Sequence, residues 1–438
     1  MRQPEAALAL LDEGRGDVEW AWGIVAGGVV GHREKLARCA GLPDGVVRAL
    51  AGDADVCVVA ELAWCGASEV VAGLAGHPHA GVRRMVAENR GAPPEVLAVL
   101  ASGEGVSTVE WCRGCEGGAV PPFHSGGCPE ASDGSPEDDG GAFFGRACDG
   151  AHGAALAAVR QAVAGNPATP VDAVVGFADD PVVWVRQELA EREDLPQEVY
   201  ARLAVDPYHG VRKAVAGNPS IGETVARVLA GDDDVEIRRE LARNPGVPFD
   251  VLVPLAGLPK VGADLLPRVA SASPAEVAQL AASKDSSVRA LVARRRDLPD
   301  GVRDALAVDP DAKVVKSVAP HPGLSEGQLR RMVERHGVQV MAQVALNPDA
   351  PAALLEDLAL REPPVGGVLR AIAGRVDAPA AALVACLGNA RARPVAAAHP
   401  ALPVEVLVGL LGDDDEDVVQ SAAANPSLPV DVMLRLLP

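Results

Sequence analysis

The chain repeats itself about every 26 residues, and no other feature constrains its fold so tightly. The clearest copy is Asp206-Pro207-Tyr208-His209-Gly210-Val211-Arg212-Lys213-Ala214-Val215-Ala216-Gly217-Asn218-Pro219. It reads as one short helix with its punctuation attached. Asp206 is expected to cap a helix whose first residue is Pro207, which has no N–H to lose. Val211, Val215 and Ala216 fall on one narrow apolar stripe. Asn218 before Pro219 is expected to end the helix, because asparagine tolerates the left-handed conformation and proline pushes the residue before it out of the α region.

A second helix completes each unit, opened by a proline or a small residue: Pro43, Ser68, Pro93, Pro170, Pro196, Gly222, Pro248, Pro274, Pro299, Ser325, Pro351, Pro379, Pro403 and Pro429. After it comes an Asp-rich turn (Asp179-Asp180, Asp232-Asp233-Asp234, Asp309, Asp413-Asp414-Asp415) and then the next helix. That helix often carries a Val-Arg pair, as at Val82-Arg83, Val159-Arg160, Val185-Arg186, Val211-Arg212 and Val288-Arg289. Helix capping accounts for an aspartate at the same place in every unit better than calcium does, since the spacing of an EF-hand loop is missing. The fold expected is all-α: a solenoid of about fourteen two-helix repeats. With 48% hydrophobic but only 3% aromatic residues, its core must be Ala, Val and Leu.

Residues 1–34 do not fit the period and are expected to form an N-terminal cap, with Trp20 and Trp22 as apolar cover. Repeats fill residues 35–102 and 154–438. Between Pro93 and Pro170 the phase is kept across one period plus about 51 extra residues, so residues 103–153 read as an insertion within a single repeat. That insertion is rich in Gly, Pro, Ser and Asp, lacks an apolar period, and is expected to be disordered unless something orders it.

The pattern Asp-x-x-Val-Arg-x-x-Val-Ala-x-Asn-Pro-x-x-Pro-x-x-Val-Leu-x-x-Leu-Ala resembles the leucine-rich repeat variant family, over about residues 36–102 and 155–438. The resemblance implies a right-handed superhelix of alternating α and 3₁₀ helices without strands. One architecture in that family carries an iron–sulfur cluster in a cysteine-rich N-terminal domain. The present chain has no cysteine before Cys39 and departs from it there.

Chemistry concentrates in the insertion, which holds half of the eight cysteines. Cys112-Arg113-Gly114-Cys115 is a CxxC knuckle that lets two thiolates reach one tetrahedral ion. Cys128 with either Cys148 or His124 could close the site, and His152 offers a further donor. A loop without a core gains its order from ligation, so zinc is the first expectation and a 4Fe–4S cluster the alternative. Cys39 and Cys65 lie one repeat apart, about 10 Å and too far to bond. Cys57 and Cys386 fall inside helical patterns and read as small buried hydrophobes. His321-Pro322 and His399-Pro400 stand where other units have Asn-Pro and read as turn variants. Arg294-Arg295-Arg296, with Arg289 and Arg303 nearby, is the most basic run and the place where an acidic partner would dock.

A net charge of −20 opposes nucleic acid and anionic membranes. No nucleophile elbow, P-loop or dinucleotide fingerprint is present. Neither a signal peptide nor a membrane span is legible, and a cytoplasmic protein is expected. The function expected is a non-enzymatic scaffold that binds a protein partner, with the Val-Arg arginines as its repeated surface and a zinc-stapled insertion. An iron–sulfur redox or sensing protein is the alternative, and a nucleic-acid-binding helical repeat the weaker one.

Overall fold

The computed structural model describes residues 3–103, 153–261 and 264–436, which are helical throughout, with no strand among them. They form an α-solenoid of short, consecutively packed helices. Two compact units divide the chain, Met1–Gly246 and Val247–Pro438. No helix among the described residues is long and apolar enough to cross a membrane.

Within the first unit, the helices Val30–Ala37, Val56–Cys65, Ala80–Glu88, Gly153–Gly165, Val183–Glu191, His209–Gly217 and Val235–Arg243 pack each on the next, forming a first row. A second row alternates with it in sequence, for example Asp44–Ala51, Pro94–Ser102, Gln197–Leu203 and Glu223–Ala230. One of its members is a short α-turn, Val171–Val174, continued by a 3₁₀ helix, Val175–Asp179. In the second unit the first row runs Ser286–Val292, Ala312–Val318, Val338–Ala345, Gly366–Ala373, Arg393–Ala397 and Glu416–Ala423.

Local chemistry explains where the second-row helices begin. Pro43, Pro93, Pro170, Pro196, Pro248, Pro299, Pro351, Pro379 and Pro403 are each the residue immediately before the helix, extended in ψ, where their missing N–H costs nothing. Ser325 caps reciprocally with Gln328, as does Ser273 with Glu276. The expected apolar stripe is also in place: Val211, Val215 and Ala216 are fully buried.

The start and stop signals of the first-row helix act differently from the sequence reading. The helix begins at His209, and Asp206 lies in the turn before it, accepting from the Tyr208 N–H at 2.8 Å. The same carboxylate is gripped by an arginine 20 residues upstream, with Arg186 Nε at 2.6 Å and Nη2 at 3.1 Å. Arg186 Nη1 donates to the Asp180 carbonyl at 2.7 Å, so the guanidinium ties the turn before its own helix to the turn before the next. The two-nitrogen grip on the carboxylate recurs at Arg33–Asp53, Arg160–Asp180, Arg212–Asp232 and Arg289–Asp309, and Arg393 reaches Asp413 through Nη2 alone. Capping therefore explains only some of the aspartates, such as Asp55, Asp234, Asp311 and Asp415.

Asn218 is not left-handed: its φ is −74° and ψ 121°. Its amide Nδ2 donates to the carbonyls of Ala190 and Arg192 at 2.9 and 2.6 Å, and its Oδ1 accepts from the Ser220 N–H at 2.9 Å. Asn244, Asn347 and Asn425 repeat this, each reaching carbonyls 26 and 28 residues upstream. Asn166 does the same to Ala87 and Asn89, 79 and 77 residues away, so the ladder steps across residues 104–152 without losing phase. Where asparagine is missing, a longer donor reaches the same carbonyls. Arg192 Nη1 bonds Ala164 and Asn166, Arg295 Nη1 bonds Val269 and Ala272, and Arg375 Nη1 bonds Ala345 and Asn347. An aspartate two residues on, at 194, 297 or 377, neutralises each guanidinium. His399 follows the rule with Nε2 at 2.7 Å from the Arg375 carbonyl, which makes it the turn variant expected.

The N-terminal segment carries the same signature. Arg33, on the helix Val30–Ala37, pairs with Asp53 and donates to the Gly27 carbonyl at 3.0 Å. Trp20 and Trp22 are 38% and 44% exposed, and the apolar cover comes from Ala21 and Ile24 between and beside them. Ala21 and Ile24, three residues apart on the helix Val18–Val25, share its inward face and leave the indoles outward.

Acid should test the arginine–aspartate ties. Burial alone would push the Asp53 and Asp232 carboxyls up, but the arginine hydrogen bond, a backbone N–H and the guanidinium charge together hold both below their ordinary value. A lowered folded pKa gives stability that is present above about pH 4 and lost as pH falls through the folded value. Asp232→Asn is expected to lower the free energy of unfolding by about 2 kcal/mol at neutral pH. In urea titrations that difference should shrink below pH 4; a difference that persists in acid contradicts the assignment.

Candidate functional site

Two things follow from the ladder for any site on this chain. Repeated polar side chains are consumed holding turns together, so recognition must come from residues that do not repeat. The Val-Arg arginines, expected to form a repeated binding surface, are a case in point. The arginine side chains of Arg186, Arg212 and Arg289 are 13, 19 and 14% exposed and are clamped to aspartates. Arg83, at the same position, is buried and donates to the carbonyls of His77 and Pro78.

The metal donors read from sequence, Cys112, Cys115, His124, Cys128, Cys148 and His152, lie outside the described residues. The other four cysteines are free thiols. Cys386 is buried and its Sγ donates to the Leu369 carbonyl at 3.2 Å; Cys39 is buried beside the Lys35 carbonyl. Burial pushes both thiols up to about 11. Cys65 is exposed. Cys57, expected to be a small buried hydrophobe, is half-buried, and its Sγ lies within 4.8 Å of carboxylate oxygens of Glu34 and Asp55. Burial and then the neighbouring carboxylates push this thiol up to about 12. Asp55 is already committed as the N-cap of the helix, accepting the Cys57 N–H at 2.9 Å. Capping therefore accounts for Asp55, and the grouping was not legible in the sequence because Glu34 comes from the preceding first-row helix.

Two open hollows lie against first-row helices. In the first unit, one of about 370 Å³ is lined by Arg84, Glu88, Arg90, Gln161 and Glu188 among others. Its charges are of both signs and partly satisfy each other, with Arg84 Nε 2.7 Å from Glu88. Burial pushes the Glu188 carboxyl up, against a hydrogen bond from Gln161.

The second hollow belongs to the second unit, is about 730 Å³, and is markedly one-signed. Ser287, Ala290 and Leu291 line it from the helix Ser286–Val292, with Arg294 and Arg296 just beyond. Lys313, Lys316 and Ser317 come from the helix Ala312–Val318, and Gln343 from Val338–Ala345. Residues 256–261, with Lys260, close one side together with Asp264 and Leu265. Among the described residues five cations thus face one carboxylate, in a chain whose net charge is −20. Lys260, Lys313, Lys316 and Arg296 are exposed, and none of the four is in a salt bridge among the described residues.

The basic run flagged in the sequence is divided by the fold. Arg295 turns inward to the carbonyl ladder, Arg289 binds Asp309, and Arg303 binds Asp300 and Asp304. Arg294 and Arg296 line the groove, the latter with Nη1 on the Pro320 carbonyl at 2.6 Å. Lys313 and Lys316 went unremarked in the sequence. The signal available was their spacing: they stand one period after Ser287 and Ala290, and each is a cation where the preceding repeat is neutral. His321, beside this run, is buried, and burial followed by the charges of Arg296 and Arg303 pushes it down to about 4, so it is neutral at physiological pH.

No protein-family model matches this chain, and no curated protein matches it.

The thiols offer a direct check of this geometry. Of the four described cysteines, Cys65 is expected to react with a disulfide reagent in the native protein, whereas Cys386 should react only on unfolding. Mass mapping of the labelled peptides reads the order; labelling of Cys386 as fast as Cys65 contradicts the packing.

Proposed function

We propose that this chain is a non-enzymatic repeat scaffold of the leucine-rich repeat variant kind, which binds a protein partner along its first-row helices. The supporting observation is the one-signed groove of the second unit, where exposed side chains that do not repeat converge on an open hollow. Solenoids offer extended surfaces of this sort because each unit adds one strip of side chains. Arginine, aspartate and asparagine supply the frame, and the variable positions supply the choice of partner. In the same reading the insertion at residues 103–153 is a metal-stapled accessory held by Cys112, Cys115, Cys128 and either Cys148 or His124, with zinc as its ion. A 4Fe–4S cluster would instead make the scaffold a redox or sensing protein. Metal content and the visible spectrum of the purified chain separate those options.

Site-specific photocrosslinking in the producing cell tests the scaffold reading. A photoreactive residue at Gln343, on the groove, is expected to give a discrete heavier adduct. The same residue at Glu405, on an exposed second-row helix, should give none. Equal adducts from both positions, or none from either, would contradict it.

A further inference from the structure

We infer that the groove of the second unit takes an extended acidic segment of a partner protein, whose carboxylates meet Lys313, Lys316, Lys260 and Arg296 while its apolar side chains rest on the floor. This deepens the scaffold reading above and rests on it.

Charge provides the first part of the argument. Arg289, Arg295 and Arg375 of this unit are spent on aspartates, on backbone carbonyls, or on both. Lys313 and Lys316 instead stand one turn apart on one short helix, where like charges repel. No carboxylate forms a salt bridge with either among the described residues, and Asp264 is the one acid lining the hollow. An arrangement that raises the energy of the free protein is relieved when an anion arrives.

Backbone strain points to the same place. Lys260 is the one non-glycine residue with positive φ among those described, at 68°. A lysine held left-handed costs on the order of 1 kcal/mol, and such strain tends to gather where a ligand is gripped. Here it sets a cation at the groove's edge.

The form of the ligand follows from what else lines the hollow. Leu291 is buried in its floor, and Ala290, Leu258, Val261 and the exposed Leu265 add apolar surface. Carboxylate-bearing and apolar residues in alternation match this mixture. Lysine is a mobile point charge that imposes no fixed bidentate geometry, so it suits anionic groups spaced along a flexible chain. Nucleic acid fits less well. Among the described residues no aromatic side chain lines the groove for a base to stack on, and the −20 net charge repels a long polyanion.

Fluorescence anisotropy with the full chain decides it. The probe is a short labelled peptide of alternating Glu and Leu, set against its Gln–Leu counterpart and an oligothymidylate of equal length. Tight, salt-sensitive binding of the Glu–Leu peptide is expected, at least about tenfold weaker for the Gln–Leu peptide and for Lys313→Glu/Lys316→Glu. Both lysines are exposed, so the double variant should keep its circular dichroism. Lys284→Glu, at an exposed lysine that does not line the groove, should bind within about twofold of wild type. Equal binding of the Gln–Leu peptide, unchanged binding by the double variant, or tighter binding of the oligothymidylate would overturn the inference. If the crosslink at Gln343 persists while the Glu–Leu peptide fails, the scaffold stands and the acidic ligand class is wrong; if both fail, the scaffold reading falls with it.

Discussion

Hydrogen bonding from one buried side chain to the backbone of the preceding repeat is the interaction on which this structure depends. Short helices expose unpaired carbonyls at every C-terminus, and a stack of them buries those carbonyls between units. Asn218, Asn244, Asn347 and Asn425 each meet two such carbonyls with one amide, and use the amide oxygen to hold the following turn. Asn347 is fully buried, so its donors have no water to fall back on. Packing alone would allow Ala- and Val-rich helices to slide or rotate, because their apolar surfaces are nearly featureless; the amide fixes the register of each unit on the last.

Electrostatics adds a second tie of a different kind. The arginine of one first-row helix clamps the aspartate of the next turn through both carboxylate oxygens, while its remaining nitrogen holds its own turn. The two partners are nearly buried together, so each is worth most through the cost of leaving the other alone. This division explains the charge pattern of the surface. Arginines and aspartates recur because the frame needs them, and the residues free to vary, such as Ser287 and Lys313 at equivalent positions, are the ones that give each stretch of the face its own character.

Much of this was legible in the sequence. The period, the all-helical class and the opening of each second-row helix at a proline could be read because each rests on a local rule. The roles of Asp206 and Asn218 could not, since both residues have a respectable local explanation, capping and helix termination, that hides a partner about one period away. Arg295 shows the same limit more sharply. Within the sequence it is the middle of a basic run, while in the fold it stands in for asparagine and points inward, with Asp297 beside it. The motif Arg-x-Asp-x-Pro, shared by Arg192, Arg295 and Arg375, was available as a signal once Asn-Pro was known to be structural. The groove was half visible: Arg294 and Arg296 were in the run, whereas Lys260 and Lys313 come from segments that only stacking brings to it.

Asn218→Gly tests the ladder most directly, because the two explanations of this residue give opposite signs. If Asn218 ended its helix through a left-handed backbone, glycine would do so as well or better, and stability would hold or rise. The ladder requires a loss of about 2 kcal/mol or more, because the Ala190 carbonyl and the Ser220 N–H lose their shared partner in a buried site. Equilibrium urea unfolding of the wild-type and Asn218→Gly chains reads the difference, and a variant as stable as wild type would contradict the account at its centre.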